Sequence, residues 1–330
     1  MDWNLLKNTK RIITHSNCPD GMGSAIILRV VFPEIEPEFY HHSQDEYLNL
    51  KAEEGMLFCD IIPPEHRAQE FVDVNSIVLD HHKGVEHIVD MFGELGIFAD
   101  EKKEPGVSGT TLAWREVFVP WSQELTDFSK EDYFGQHAES YNHELCSCEA
   151  IREFAILAGI RDTWQINDPK FKLASEQAAM LTFFPWEYWK NKVKHFSFEG
   201  EMLVGHNILN KRLRDAAVCV DNSVVFDVNG YKVAVFNDPD KLCSDTSALH
   251  IENGVDVVAG FYYFSDLDGL HITYSLRSND NFSVGKMAKS LGGGGHTKAS
   301  GFSLKTELEE VNPFLKFKEI FEEYSKNVRV

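Results

Sequence analysis

Positive charge is scarce in this sequence: 32 lysines and arginines stand against 52 aspartates and glutamates, for a net charge of −20. Such a chain repels a long polyanion unless its basic residues gather in one patch, so long RNA or DNA is a poor expected partner. A small anion stays open, because a bound dication or a few arginines reverse the field locally. Long apolar runs are also missing. The stretch from Val255 to Phe264 is too short to span a bilayer, and Met1-Asp2-Trp3-Asn4 lacks the basic-then-apolar order of a signal peptide. The expectation is a cytoplasmic protein without a membrane partner. The six cysteines are scattered, and Cys146-Ser147-Cys148 has no second pair to complete a zinc site, so they read as reduced thiols. Internal repeats, low-complexity segments and coiled-coil heptads are absent as well.

What is present is the composition of a folded globular chain, 43% apolar and 25% charged. Its 330 residues exceed what one hydrophobic core usually serves, which predicts two domains. Three short apolar runs, Arg11-Ile12-Ile13-Thr14, Met56-Leu57-Phe58-Cys59 and Ser76-Ile77-Val78-Leu79, read as buried strands, each followed by a plausible helix. That alternation predicts an α/β fold with a doubly wound parallel sheet, whose ligands gather beyond the carboxyl ends of the strands. His15, Asp60 and Asp80-His81-His82 fall there. From Ser108 to about Tyr188 the spacing turns helical, so the first domain is expected over 1–195. Asn229-Gly230 between Val224–Val228 and Tyr231–Phe236 signals a hairpin, as does Asp266-Leu267-Asp268-Gly269, and a smaller α/β domain is expected over 200–330. A helix over Val284–Leu291 leads into Gly292-Gly293-Gly294-Gly295-His296.

The polar clusters at the strand ends carry the chemistry. In His15-Ser16-Asn17-Cys18-Pro19-Asp20-Gly21, an imidazole and a carboxylate share a glycine-punctuated turn before a helix, although a helix cap explains Asp20 equally well. Asp60 follows an apolar strand and precedes Ile61-Ile62-Pro63-Pro64, where it could simply begin a turn. Asp80, His81 and His82 form three consecutive ionisable residues after a buried strand, which is costly unless they are partnered or solvated. His41-His42 reads as a strand end near the site, and His137 and His143 as surface residues.

Together these features resemble the DHH phosphoesterase family with its DHH-associated C-terminal domain, nanoRNase-like and related to RecJ. The motifs run from His15–Ser24 through Asp60, Asp80-His81-His82 and Arg161-Asp162-Thr163-Trp164 to Gly292–Gly301, nearly the whole chain. The resemblance implies two metal ions, usually manganese, with magnesium or cobalt as substitutes. His15 and Asp60 would hold the first, and Asp20, Asp60, His81 and Asp162 the second. His82 would contact the scissile phosphate, and Asp80 would orient the neighbouring histidine. Where the family has two aspartates after the leading histidine, this chain has Asn17-Cys18-Pro19 and the single Asp20. Asn17 is the expected neutral substitute ligand, with weaker binding of the first ion.

In the second domain Arg277, Ser278, Gly293, Gly294, Gly295 and His296 resemble the family's substrate-binding motifs, with His296 expected at the start of a helix over Thr297-Lys298-Ala299. A guanidinium and freed backbone N–H groups suit a phosphate. The implied activity is metal-dependent hydrolysis of short oligonucleotides or linear dinucleotides in a cleft between the domains, which act as a ruler for substrate length. The alternatives are a nucleoside bisphosphate phosphatase, a cyclic-dinucleotide phosphodiesterase, and a non-catalytic nucleotide-binding protein with a degraded first metal site. A homodimer is compatible with the sequence.

Overall fold

A computed structural model describes residues 1–42, 44–124, 148–193, 196–266, 269–295, 297–306 and 312–326. The chain divides into two units, Met1–Leu209 and Asn210–Val330. The division falls within the helix Glu199–Asp221.

In the first unit, β1 (Arg11–His15), β2 (Pro37–Tyr40), β3 (Met56–Cys59), β4 (Ile77–Asp80) and β5 (Gly96–Phe98) form one sheet. All its pairs are parallel and its order is β2-β1-β3-β4-β5. Side chains alternate across a strand, and here both faces are buried. Ile12, Leu57, Cys59, Ile77 and Leu79 join one core, with α1 (Pro19–Val31) contributing Ile26, Ile27, Leu28 and Val30 to it. Ile13, Met56, Phe58 and Val78 face the opposite core, with Ala68 and Phe71 of α2 (Ala68–Asp73). Two apolar faces explain why these strands read as unbroken apolar runs. The strand order reverses direction between β1 and β3, and at such a switch point the loops beyond the carboxyl ends part to leave a crevice.

The helical part of this unit contains the four-residue α3 (Gly109–Leu112), α4 (Cys148–Asp162) and α5 (Phe171–Phe183). Ile151, Phe154 and Ala155 of α4 and Met180 and Leu181 of α5 pack into the same core as α1. The segment holding His137 and His143 lies outside the described residues.

The second unit has a six-stranded sheet of β6 (Val224–Val228), β7 (Tyr231–Asn237), β8 (Val257–Asp266), β9 (Gly269–Ser278), β10 (Gly294–Gly295) and β11 (Ala299–Thr306), ordered β10-β11-β9-β8-β7-β6. Among the described residues of this unit only β7 and β8 pair in parallel, joined through α7 (Cys243–Glu252), where α6 is the helix Glu199–Asp221. The Asn229-Gly230 hairpin is present, with φ of 50° and 87°, the left-handed pair that a two-residue turn between twisted strands demands. One sheet face packs on Met287 and Ala288 of α8 (Val284–Ser290) and Phe317 and Phe321 of α9 (Pro313–Ser325).

One expected element is corrected. Among the described residues that follow the glycine run, Thr297-Lys298-Ala299 are not helical; Gly294 and Gly295 pair with Gly301 and Ser300, and Ala299 opens β11. Gly293 leaves no room for a side chain, since a Cβ would lie 2.1 Å from the Gly301 carbonyl oxygen. The glycine run therefore permits close strand contact. Among the described residues, no helix is long and apolar enough to cross a membrane.

Candidate metal centre

The carboxyl edge of the parallel sheet collects most of the residues expected at the first-domain site. His15 ends β1, Asp60 follows β3, and Asp80 ends β4 with His81 and His82 next in the chain. Asp20 enters from the first turn of α1 and Asp162 is the last residue of α4. His81 is the hub: its Nε2 lies 3.3 Å from Asp60 Oδ1, 3.5 Å from Asp162 Oδ2 and 3.6 Å from Asp20 Oδ2. The other Asp60 oxygen, Oδ2, lies 4.0 Å from His15 Nδ1. Asp60 thus turns one oxygen to each of two groups of potential ligands.

Its backbone is part of that placement. Asp60 adopts φ of 64°, a left-handed conformation that costs free energy for a residue with a side chain. The Asp60 N–H is fixed by donation to the Leu79 carbonyl, 3.0 Å away. Asp20 is held from outside its own helix: the Gly109 and Thr110 N–H groups donate to its two carboxylate oxygens at 2.6 and 3.0 Å. The Thr110 hydroxyl donates to the Asp20 carbonyl. A Cβ on Gly109 would sit 2.4 Å from Asp60 Cβ and 3.0 Å from Asp20 Oδ2, so this close approach requires glycine. Sequence reasoning missed Gly109 and Thr110. The available signal was Ser108-Gly109-Thr110-Thr111, whose first and last residues form a capping box that aims the N–H groups of α3.

The electrostatics follow from crowding carboxylates away from water. Burial, then the neighbouring Asp20, pushes the Asp60 carboxyl well above the usual range. Asp162, with 26% of its side chain exposed, is raised to about 6 by burial and by Asp20. Burial opposes ionisation of Asp20 too, but His81 and the Thr110 hydrogen bonds outweigh it and hold this carboxyl low. His15 is lowered to about 4 by burial and by the nearby His82, His41 and His42, leaving a neutral imidazole with one ring nitrogen free to ligate at pH 7.

Asp80 and His82 form a separate pair. Asp80 accepts from the His82 N–H at 2.7 Å and contacts its Nδ1 at 2.9 Å. Burial favours neutral His82, yet the hydrogen bond to Asp80 prevails and raises it to about 9. The histidine that Asp80 orients is therefore His82, whose side chain is 37% exposed.

These residues fit a dication. Asp60 is 1% exposed, and its Oδ2 and both His15 ring nitrogens are buried without a hydrogen-bond partner, an arrangement a ligating ion satisfies. Among the described residues, donor atoms converge in four groups: Asp20-His81-Asp162, Asp60-His81-His82, His15-Cys18-Asp60 and His15-His41-His42. The last places the His41-His42 strand end beside His15 at ligating distance. Asn17 is exposed, with φ of 55°.

In the second unit, Arg277 donates to its neighbour's carbonyl at Leu276 and to Ser244 Oγ, both at 2.8 Å. Ser278 is buried and donates to the Phe282 carbonyl. Gly294 and Gly295 are exposed, Gly293 half-buried, and His296 lies outside the described residues.

Residues 234–324 match the DHHA1 domain model. An uncharacterized protein of Acanthamoeba polyphaga mimivirus is 23% identical over 323 residues, 88% of this chain and 66% of its own, so the chain spans just under two thirds of that relative's length. Among solved structures, a pGpG-specific phosphodiesterase from Vibrio cholerae is similar over 96% of this chain and 99% of that one, at 12% identity and a TM-score of 0.45. An exopolyphosphatase-related protein from Bacteroides fragilis is similar over 98% and 95%, at 14% identity and a TM-score of 0.48. Residues 234–324 are thus a DHHA1 domain, and the Asp80-His81-His82 run that precedes it agrees with the resemblance of the whole chain to the DHH phosphoesterases.

Proposed function

We propose that the protein is a metal-dependent phosphoesterase that hydrolyses short oligonucleotides or linear dinucleotides to mononucleotides. The observation that carries this is the convergence of Asp20, Asp60, His81 and Asp162, with unpartnered buried atoms on Asp60 and the adjacent His15. His15 and Asp60 would hold one ion, and Asp20, Asp60, His81 and Asp162 the other, with Asp60 shared. Dications held by these residues, with manganese as the first candidate, would supply Lewis acidity toward a water and a phosphoryl oxygen.

The chain's own residues do the rest. Asp80 accepts the Nδ1 hydrogen of His82 and so turns Nε2–H outward as a charged donor for a non-bridging phosphate oxygen. Gly109 and Thr110 hold Asp20 ionised for ligation. In the DHHA1 domain, Arg277, Ser278, Gly293, Gly294, Gly295 and His296 are the proposed phosphate-binding residues. The acidic net charge favours a small anion over a long one.

The test is a manganese-supplemented panel of dinucleotides, longer RNAs, a nucleoside bisphosphate, cyclic dinucleotides and polyphosphate. The expected result is mononucleotide release fastest from dinucleotides, lost by roughly 10³-fold or more in Asp60→Ala, on the scale of a metal-stabilised transition state. No product from any substrate, with Asp60→Ala binding a dinucleotide as well as wild type does, would overturn the enzyme assignment.

A further inference from the structure

We infer that Cys18 is a ligand of the first metal ion, so that this position is a His15-Cys18-Asp60 site for a borderline ion such as zinc instead of an oxygen-rich site for manganese. The inference rests on the proposed metal centre and deepens it.

The sequence offered Asn17 as the substitute for a missing aspartate, but the backbone points to the next residue. Asn17 takes the left-handed conformation, φ of 55°, and Cys18 then returns to an extended φ of −124° as the residue that opens α1. Across that turn Asn17 is exposed, whereas Cys18 Sγ converges with a His15 ring nitrogen and an Asp60 oxygen, the three atoms within 4.8 Å of one another. Cys18 is a free thiol.

Two further observations point to a ligand at this spot. Asp60 is 1% exposed and its Oδ2, the oxygen turned to His15, has no hydrogen-bond partner. Both His15 ring nitrogens are equally unsatisfied. The His15 Nδ1 to Asp60 Oδ2 separation of 4.0 Å is within twice a metal–nitrogen or metal–oxygen bond of ~2.0–2.2 Å, so one ion can contact both. A thiolate at the third corner changes which ion is held. Soft sulfur ligands select zinc and disfavour manganese and magnesium, whose preferred partners are carboxylate, carbonyl and water. The Asp20-His81-Asp162 group has no sulfur and keeps the oxygen-rich character. The two positions therefore differ in ion preference within one centre.

Metal binding to the full-length protein tests this without any assay of turnover. Loaded with cobalt(II) as a spectroscopic probe, wild type should show a near-ultraviolet sulfur-to-cobalt charge-transfer band, present also in Asp162→Ala and absent in Cys18→Ser. By equilibrium dialysis, zinc affinity at one position should fall in Cys18→Ser by at least the ~10–100-fold that loss of even an outer ligand partner costs. Cys18→Asp should restore binding with the preference moved toward manganese. X-ray absorption of the zinc-loaded wild type should show a sulfur neighbour at ~2.3 Å. A wild type that binds dications with no sulfur neighbour, or a folded Cys18→Ser with unchanged band and zinc affinity, overturns the inference and leaves the phosphoesterase assignment standing. A sulfur signature in a protein that hydrolyses no substrate overturns that assignment and supports the ligand.

Discussion

His82 and Asp162 show how burial and a single partner set the chemistry of individual side chains. Asp80 raises His82 to about 9, so His82 is a donor through the neutral range and loses its Nε2 hydrogen above that value. The same shift stabilises the fold: it is raised above the unfolded value near 6.5, so its contribution is complete below about pH 6.5 and lost as pH climbs through 9. Asp80→Asn should lower kcat by about 10–100-fold with KM changed little, the cost typical of losing an orienting partner, and move the alkaline limb of the rate profile to lower pH. A pH series on both proteins checks this; an alkaline limb that stays in place argues against the pair.

Asp162 predicts an opposite dependence for ion binding. Without a cation its carboxyl sits at about 6, above the unfolded value near 3.9, so the metal-free fold gains stability below pH 4 that it loses as pH rises through 6. The loss is roughly 2 kcal/mol after allowance for partial exposure. A bound dication reverses the sign, because it needs the ionised form. Melting curves from pH 5 to 8 should therefore show metal-free Tm falling while the stabilisation added by saturating manganese grows.

At the scale of elements, the site depends on a very short helix. α3 holds only four residues, yet its first N–H groups are what Asp20 accepts from, and its first residue touches Asp60. Gly109→Ala forces a methyl group to within 2.4 Å of Asp60 Cβ. Since both are fixed by backbone, the expected cost is about 1–3 kcal/mol of stability together with weakened ion binding. Thr110→Ala removes the hydroxyl bonding to Asp20 while keeping the backbone N–H bond to its carboxylate, and a smaller loss, about 1 kcal/mol, is expected. Denaturant unfolding and metal titration of the two variants should rank them in that order.

For the whole molecule, the dominant long-range property is the charge of −20. It opposes approach of long polyanions far more than of a dinucleotide, and salt screens that opposition over ~10 Å at 0.1 M. The preference for dinucleotides over long RNA, measured as a ratio of kcat/KM, should therefore shrink as salt is raised. A ratio that grows with salt would indicate a local basic track for long RNA instead.

The sequence by itself determined the parallel sheet, the Asn229-Gly230 hairpin and the strand-end positions of His15, Asp60 and Asp80-His81-His82, because strand patterning and turn chemistry are local. It left each carboxylate open to a cap or turn explanation, since one residue at one strand end carries no information about its neighbours across the sheet. Only the tertiary structure decided which donors meet. It brought Asp162 from the end of α4 to His81, placed the N–H groups of α3 on Asp20, and drew His41 and His42 beside His15. It also turned Cys18 inward where Asn17 was the expected substitute, because a left-handed φ at one residue sets the direction of the next, and spacing in a sequence does not record φ. The glycine run was not legible as a strand, since its partner, Ser300-Gly301, supplies the hydrogen bonds that make it one.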